Sequence, residues 1–283
     1  MAMDEKGLGK RLQEARQKAG LTQQQLCQLA NLSFSTLTKI ERGAIKSPSI
    51  FTVQSIAAAL HTTLDELLGL GAPGANRLLK KTKSGVSFVY FDVNGCLIRF
   101  YERAFARVAE TYNVPADVIE TAFWHYNDDA CRGTLSSSDF NKVFGERIGV
   151  PDLDWKKFYL EVTEPMPEMQ ELLKWVAENY KTGLLTNITS GYMSGLREQG
   201  KIPALPYDAI IDSSEIGSIK PENKIYEIAQ GRAAVPPEEI LLIDDTRGNL
   251  NAAESLGWKV LWFDYARPQE SVDLIRSALE PAD

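Results

Sequence analysis

The sequence predicts an N-terminal all-α module of five helices and then an α/β domain, a doubly wound parallel sheet interrupted by an inserted all-helical cap. Three observations carry this expectation. Three short apolar runs end in polar residues: Val86–Leu97 around Asp92, Gly183–Asn187, and Ile240–Asp245. Runs of this length read as buried parallel strands, and here they alternate with helical stretches. Before the first run, and again between residues 99 and 164, apolar residues recur only at helical spacing.

In the N-terminal module, Leu8, Leu12, Ala15 and Ala19 stripe a first helix that Gly20 ends. Thr22 is a good N-cap for a second helix, Gln23–Ala30, and Asn31 tolerates the left-handed backbone of a sharp turn. Ser33 caps a third helix to Glu41, with Leu37 and Ile40 inward and Gly43 as its stop. Val53, Ile56, Ala57 and Leu60 stripe a fourth, and Leu64, Leu67 and Leu68 a fifth. The module is expected to span 1–70, followed by a linker at 71–85 broken by Gly71, Pro73, Gly74 and Gly85. The sheet domain takes 86–98 and 165–283. The cap takes 99–164, with helices at Tyr101–Tyr112, Ala116–Asp128, Ser136–Ile148 and Trp155–Val162.

At 283 residues the chain is long enough for about two domains, and its formal charge of −7 is unevenly spread. Residues 1–83 hold 12 Lys and Arg against 6 Asp and Glu, and the rest 19 against 32, so a module of +6 precedes a body of −13. A basic head on an acidic body suits a polyanion such as nucleic acid as partner. Cys27, Cys96 and Cys131 are too scattered for a disulfide framework and lack metal-ligand spacing. The charged N-terminus has no signal-peptide pattern, and no apolar run approaches the roughly 20 residues of a membrane span. A cytoplasmic protein without membrane contact is expected.

Ligands of open α/β sheets bind at the carboxyl ends of the strands. Asp92, Thr186, Asp244 and Asp245 all lie at such ends, and Lys220 falls between the second and third runs. Carboxylates, a hydroxyl and an ammonium gathered in one place suit a hard cation with a phosphate.

The segment from Thr22-Gln23-Gln24-Gln25-Leu26-Cys27 through Ile40-Glu41-Arg42-Gly43 resembles the helix-turn-helix of the phage-repressor (Cro/XRE) family. Two positions depart mildly from that pattern: Cys27 stands where Ala is common and Asn31 where Gly is common. The resemblance implies binding of double-stranded DNA, usually as a homodimer, with the third helix in the major groove. Ser33, Phe34, Ser35, Thr38 and Lys39 would then lie at or near the bases, while Gln23, Arg42 and Lys46 would hold phosphates.

Residues 86–283 resemble the haloacid-dehalogenase-like hydrolases with a helical cap, in the phosphatase branch. Four motifs support this in order: Asp92-Val93-Asn94-Gly95-Cys96-Leu97, Thr186-Asn187, Lys220-Pro221-Glu222, and Asp244-Asp245 with Asn249 and Gly257-Trp258. The resemblance implies that Asp92 is a nucleophile forming an aspartyl-phosphate. It also implies that Mg²⁺ is held by Asp92, the Asn94 main-chain carbonyl and Asp244, with Asp245 reaching it through water. Thr186, Asn187 and Lys220 would bind the phosphate of a phosphorylated small molecule. Trp124, His125, Tyr126 and Arg132 in the cap are candidate ligand contacts.

Residue 94 is the main departure. Active phosphatases of this family usually place an Asp there as general acid and base, and an amide does not titrate. The expected function is therefore a DNA-binding regulator that binds Mg²⁺ and a phosphorylated metabolite with weak or no turnover. The alternative is an active Mg²⁺-dependent phosphomonoester phosphatase fused to a DNA-binding module.

Overall fold

A computed structural model describes residues 7–45, 47–60, 62, 67, 79–99 and 101–281. The chain divides into two compact units, Met1–Asn76 and Arg77–Asp283.

The first unit contains helices α1 (Gly7–Lys18), α2 (Gln23–Leu29), α3 (Phe34–Glu41) and α4 (Ile50–Ala59). Each start after α1 follows a capping residue. Thr22 and Gln25 form a reciprocal capping box, and the Ser33 and Ser49 hydroxyls accept from the Thr36 and Thr52 amides. Asn31 takes the left-handed conformation expected of it, with φ 51°. Leu12, Leu26, Leu37, Ile40, Val53 and Ile56 form the buried centre. The expected fifth helix, Lys46 and residues 71–78 of the expected linker lie outside the described residues, apart from Thr62 and a buried Leu67.

In the second unit, five parallel strands lie in the order β5-β4-β1-β6-β7. They are β1 (Phe88–Phe91), β4 (Lys181–Thr186), β5 (Ala209–Asp212), β6 (Ile240–Asp244) and β7 (Lys259–Trp262). Every residue of β1 and β6 is buried, as their unbroken apolar runs require. Val89, Phe91, Leu184 and Ile243 face one core, and Phe88, Tyr90, Leu185 and Leu242 face the other. The order of the sheet reverses at β1, where a doubly wound sheet forms its crevice. Phe91 pairs with Leu184 and with Ile243, so Asp92 and Asp244 emerge side by side at that crevice.

The cap helices are α5 (Tyr101–Tyr112), α6 (Ala116–Arg132), α7 (Ser137–Ile148) and α8 (Trp155–Val162). Helix α6 runs four residues past its expected end at Asp128, to a left-handed Gly133. Phe105, Phe123, Phe140, Phe144 and Trp155 pack as one aromatic cluster inside the cap. The cap leaves and rejoins the sheet domain through an antiparallel ribbon of β2 (Ile98–Arg99) and β3 (Glu164–Pro165), strands too short to leave a periodic trace. Residues 79–85 of the expected linker are tied to the second unit, with the Lys80 amide donating to the Asn179 carbonyl and Lys83 to that of Glu280. Among the described residues no helix is long and apolar enough to cross a membrane.

Candidate active site

Three strand ends and one loop meet at the crevice. Asp92 follows β1, Thr186 ends β4, Asp244 ends β6, and Lys220 lies on the loop after β5; all four are buried. Lys220 Nζ stands 2.8 Å from Asp92 Oδ1 and 2.6 Å from Asp244 Oδ2. Burial alone would lower the Lys220 pKa, but the Asp244 and Asp92 carboxylates outweigh it and hold the ammonium well above the usual lysine range. Asp92 is pushed above the usual carboxylate range chiefly by burial. Lys220 opposes that shift, and Asp244 and Asp245 add to it.

Each Asp244 oxygen already has protein partners. Oδ1 accepts from the Thr246 amide at 2.8 Å and Asn249 Nδ2 at 3.0 Å, and Oδ2 accepts from Lys220 and Asn249. Asp245, expected to reach the metal through water, groups with Asp92: a ligand atom from each, with the Cys96 sulfur, lies within 4.8 Å of the others. A Cβ at Gly95, where φ is +90°, would collide with the Asp245 carboxylate, so glycine there admits Asp245 to the group. Burial, and next the charge of Asp92, keep the Cys96 thiol protonated and a poor ligand. Three carboxylates against one ammonium leave the site short of two positive charges. Its charged donors are hard oxygens, so it suits a small divalent cation.

Asn187, expected at the phosphate, spends its side chain on Lys220. Its Nδ2 donates to the Lys220 carbonyl at 2.9 Å, and its Oδ1 accepts from the Lys220 amide at 2.8 Å. It therefore positions the loop that carries the ammonium. The Thr186 hydroxyl makes only a long 3.5 Å contact to the Asn187 carbonyl, which leaves it available to a ligand.

The Asn94 amide is held at both ends. Its Nδ2 donates to the Asn187 carbonyl at 3.0 Å, and its Oδ1 accepts from the Tyr159 hydroxyl of α8 at 3.0 Å. Tyr159 was not foreseen from the sequence. Three other contacts close the cap on the crevice. The Ser213 hydroxyl donates to the Cys131 carbonyl at 2.6 Å, Arg132 Nε donates to Glu222 at 2.8 Å, and Lys201 bonds the Leu160 carbonyl. Beneath the cap is a cavity of about 10 Å³ that includes Asn94, Asn127, Tyr159, Thr189 and Tyr192 in its lining.

Helix α6 reaches this cavity with Phe123, Asn127 and Cys131, spaced four residues apart on one face. The four candidate cap contacts lie elsewhere. Trp124 and His125 are exposed, Tyr126 lies under the Arg147 guanidinium, and Arg132 turns to Glu222.

In the first unit, Phe34 is 50% exposed at the start of α3, and Ser35, Lys39 and Arg42 are exposed beside it. Ser33 serves as the N-cap, and the Thr38 hydroxyl is buried without a hydrogen-bond partner. Gln23 Nε2 donates to Glu41 at 2.7 Å, and Glu41 also pairs with the buried Arg16 at 2.7 Å. One amide hydrogen of Gln23 is thus committed inside the unit.

A fully parallel sheet with Asp92, Thr186 and Asp244 at its carboxyl end and Lys220 on an adjoining loop, roofed by a helical insert, defines the class. The chain belongs to the haloacid dehalogenase-like hydrolases, whose family model matches residues 86–257. A helix-turn-helix model of the Cro/XRE type matches residues 12–67.

Among curated proteins, mouse acyl-CoA dehydrogenase family member 10 is 24% identical over 205 residues, which is 68% of this chain but 19% of that protein. The chain therefore spans under a fifth of that relative. A phosphorylated carbohydrates phosphatase of Thermotoga maritima is 23% identical, covering 60% of this chain and 81% of its own. Among solved structures, a haloacid dehalogenase family enzyme of Bacteroides thetaiotaomicron, in complex with magnesium and inorganic phosphate, has a TM-score of 0.56 at 20% identity. It covers 64% of this chain and 96% of its own. A predicted hydrolase of this family from Porphyromonas gingivalis has a TM-score of 0.56 at 22% identity, covering 68% and 98%. At these identities the likeness is one of fold.

Proposed function

We propose that the chain is a cytoplasmic, homodimeric transcription regulator whose hydrolase-fold unit binds Mg²⁺ and a phosphorylated small metabolite and turns it over slowly or not at all. The state of residue 94 carries this reading. An amide that cannot titrate, bonded at both ends, stands two residues after Asp92 in an otherwise complete set of charged groups. General acid–base assistance typically contributes about 10²–10⁴-fold. Its loss spares binding.

Mg²⁺, held by Asp92, the Asn94 main-chain carbonyl, Asp244 and Asp245, would neutralise a phosphate dianion beside these carboxylates. Lys220 orients Asp92 and adds positive charge at the phosphoryl oxygens, and the Thr186 hydroxyl donates to one of them. The Thermotoga relative named above acts on phosphorylated carbohydrates, which supports phosphate monoesters as the ligand class. In the first unit, exposed Phe34, Ser35 and Lys39 on α3 support readout of duplex DNA, with Gln23 and Arg42 at the backbone.

The intact pairing of Lys220 with Asp92 and Asp244 favours a second reading, a working phosphomonoester phosphatase that acts through an Asp92 aspartyl-phosphate and carries its own DNA-binding head. Phosphate release from a panel of monoesters with Mg²⁺, beside Asp92→Asn, separates the two. Mg²⁺-dependent phosphate binding with release far below about 1 s⁻¹ supports the regulator, whereas turnover at about 1–10³ s⁻¹ supports the enzyme.

A further inference from the structure

We propose that Tyr159 is a positioning residue of the site: through its bond to Asn94, the cap helix that carries it holds the loop after β1 in place. This rests on the reading of the Asn94 main-chain carbonyl as a ligand of Mg²⁺. It deepens that reading by naming what fixes the carbonyl and links cation binding to cap closure.

The first support is the direction of the two bonds at residue 94. Asn94 Nδ2 lies 3.0 Å from the Asn187 carbonyl, which can only accept, so the amide nitrogen faces the end of β4 and Oδ1 faces the cap. There Oδ1 accepts from the Tyr159 hydroxyl at 3.0 Å. An amide serves both neighbours at once. An ionised Asp could still accept from Tyr159, but it would set a second acceptor against the Asn187 carbonyl. Residue 94 as Asn therefore bridges the cap and β4 in a way that a carboxylate does not.

The second support is where this bridge leads. The Asn187 side chain holds both backbone groups of Lys220, at 2.9 and 2.8 Å, and Lys220 Nζ reaches Asp92 and Asp244. On the other side, the Gly95 amide donates to the Ile98 carbonyl at 2.8 Å, and Ile98 opens β2, one strand of the ribbon through which the cap leaves the sheet domain. The loop bearing Asn94 is thus attached to the ribbon by backbone and to α8 by a side chain. The Tyr159 ring is buried and packs on the Tyr192 ring with 5.1 Å between centroids, so packing fixes where the hydroxyl points.

Opening the cap withdraws α8 and this hydroxyl. Asn94 Oδ1 then loses a partner, the loop loses one attachment, and its carbonyl is less well placed for the cation. Cation affinity and cap closure are therefore linked, and by reciprocity each strengthens the other by the same factor. A single hydrogen bond of this kind is worth about two- to tenfold.

The test is a double-mutant cycle in the full-length protein: wild type, Tyr159→Phe, Asn94→Ala and the double variant. Each is read by calorimetry of Mg²⁺ binding and by hydrogen exchange over Trp155–Val162 with and without Mg²⁺. Asn94→Ala keeps the main-chain carbonyl and removes both side-chain bonds. Tyr159→Phe should bind Mg²⁺ about two- to tenfold more weakly. Mg²⁺ should slow exchange in α8 of the wild type, and less so in Tyr159→Phe by a comparable factor. Adding Tyr159→Phe to Asn94→Ala should weaken Mg²⁺ binding no further, because the bond is already gone. Equal Mg²⁺ affinity in wild type and Tyr159→Phe, or additive losses in the double variant, would overturn the proposal and leave the site's Mg²⁺ binding standing. Wild-type protein that binds no Mg²⁺ defeats the proposed function as well. Should Tyr159→Phe fail to fold, Asn94→Ala decides alone: Mg²⁺ must slow exchange in its α8 less than in the wild type, and equal slowing overturns the proposal.

Discussion

Arg132, the last residue of the longest cap helix, donates from Nε to Oε1 of Glu222 at 2.8 Å. Glu222 lies two residues beyond Lys220, so this ion pair ties the cap to the loop that carries the ammonium of the site. Glu222 also accepts from the Ser218 hydroxyl at 2.8 Å. That bond and the Arg132 guanidinium keep its carboxyl below the usual range despite partial burial. A Cβ at Gly133, beside this contact, would collide with the Ser214 carbonyl, so the helix end and the core approach as closely as backbone permits.

Arg132→Ala should loosen the cap without unfolding the domain. The pair is half-exposed and worth up to about 1 kcal/mol, or about fivefold in an opening equilibrium. Hydrogen exchange at Cys131–Leu135 should quicken by up to that factor while the melting temperature barely moves. Unchanged exchange would show that the ion pair does not hold the cap.

Asn94→Asp should raise turnover of an alkyl phosphate, by up to about 10²–10⁴-fold. The new carboxyl would face the Asn187 carbonyl, which now lies 3.0 Å from Asn94 Nδ2. Two acceptors at that distance favour a protonated carboxyl, the form that donates to a leaving oxygen. Equal rates for wild type and variant on an alkyl phosphate would remove the acid–base argument. The Asn94-Gly95 pair is prone to deamidation, so fresh protein is required.

Mg²⁺ should stabilise the protein more at higher pH. Burial and neighbouring carboxylates raise Asp92 to about 8 and Asp245 to about 6 in the metal-free fold. Between the unfolded carboxylate range and those values the folded state binds more protons than the unfolded one. Metal-free stability therefore falls as pH rises through that window, and a divalent cation replaces the lost protons. Thermal melts with chelator and with Mg²⁺ should diverge more at about pH 8 than at about pH 5. Equal divergence at both pH values would contradict the charge balance drawn for the site.

In full-length protein, Lys39→Ala and Ser35→Ala should relax sequence preference on DNA, and Arg42→Ala should weaken all sequences alike and flatten the salt dependence. Gln23→Ala should do more than remove a phosphate contact, because Glu41 would lose one of its partners beside Arg16. Fluorescence anisotropy on specific and scrambled duplexes at several salt concentrations checks this. Identical specificity in wild type and the two α3 variants would move the reading surface elsewhere.

Asp92, Thr186 and Asp244 were legible because each closes an apolar run, and a parallel sheet brings such ends together. The order of the cap helices followed from periodicity. Tyr159 was not legible: it shares a stripe with Trp155, Phe158 and Val162 that looks the same whether its hydroxyl packs or bonds. On α6 the cavity is lined by Phe123 and Asn127, while Trp124, His125 and Tyr126, adjoining them in sequence, are absent from its lining, a difference of helix face that sequence neighbourhood alone does not reveal. The Arg132–Glu222 pair joins residues 90 apart, a link that local patterning does not encode. The role of Asn187 changed for a related reason, because its amide meets the Lys220 backbone only once the loop after β5 has folded.

If the chain is a ligand-responsive regulator, as proposed, ligation at Asp92 and Lys220 changes the DNA affinity of the first unit. Coupling of this kind is typically about 1–3 kcal/mol, or roughly 5–150-fold, and it requires different affinity for two arrangements of the protein. The most direct measurement is an operator titration of the full-length protein with Mg²⁺, with and without acetyl phosphate or a phosphate mimic, repeated for Asp92→Ala and Lys220→Ala. The expected result is a wild-type shift within that range and none in either variant, with basal DNA affinity preserved. Superimposable wild-type curves across the ligand panel would contradict it and leave the two units as independent functions on one chain.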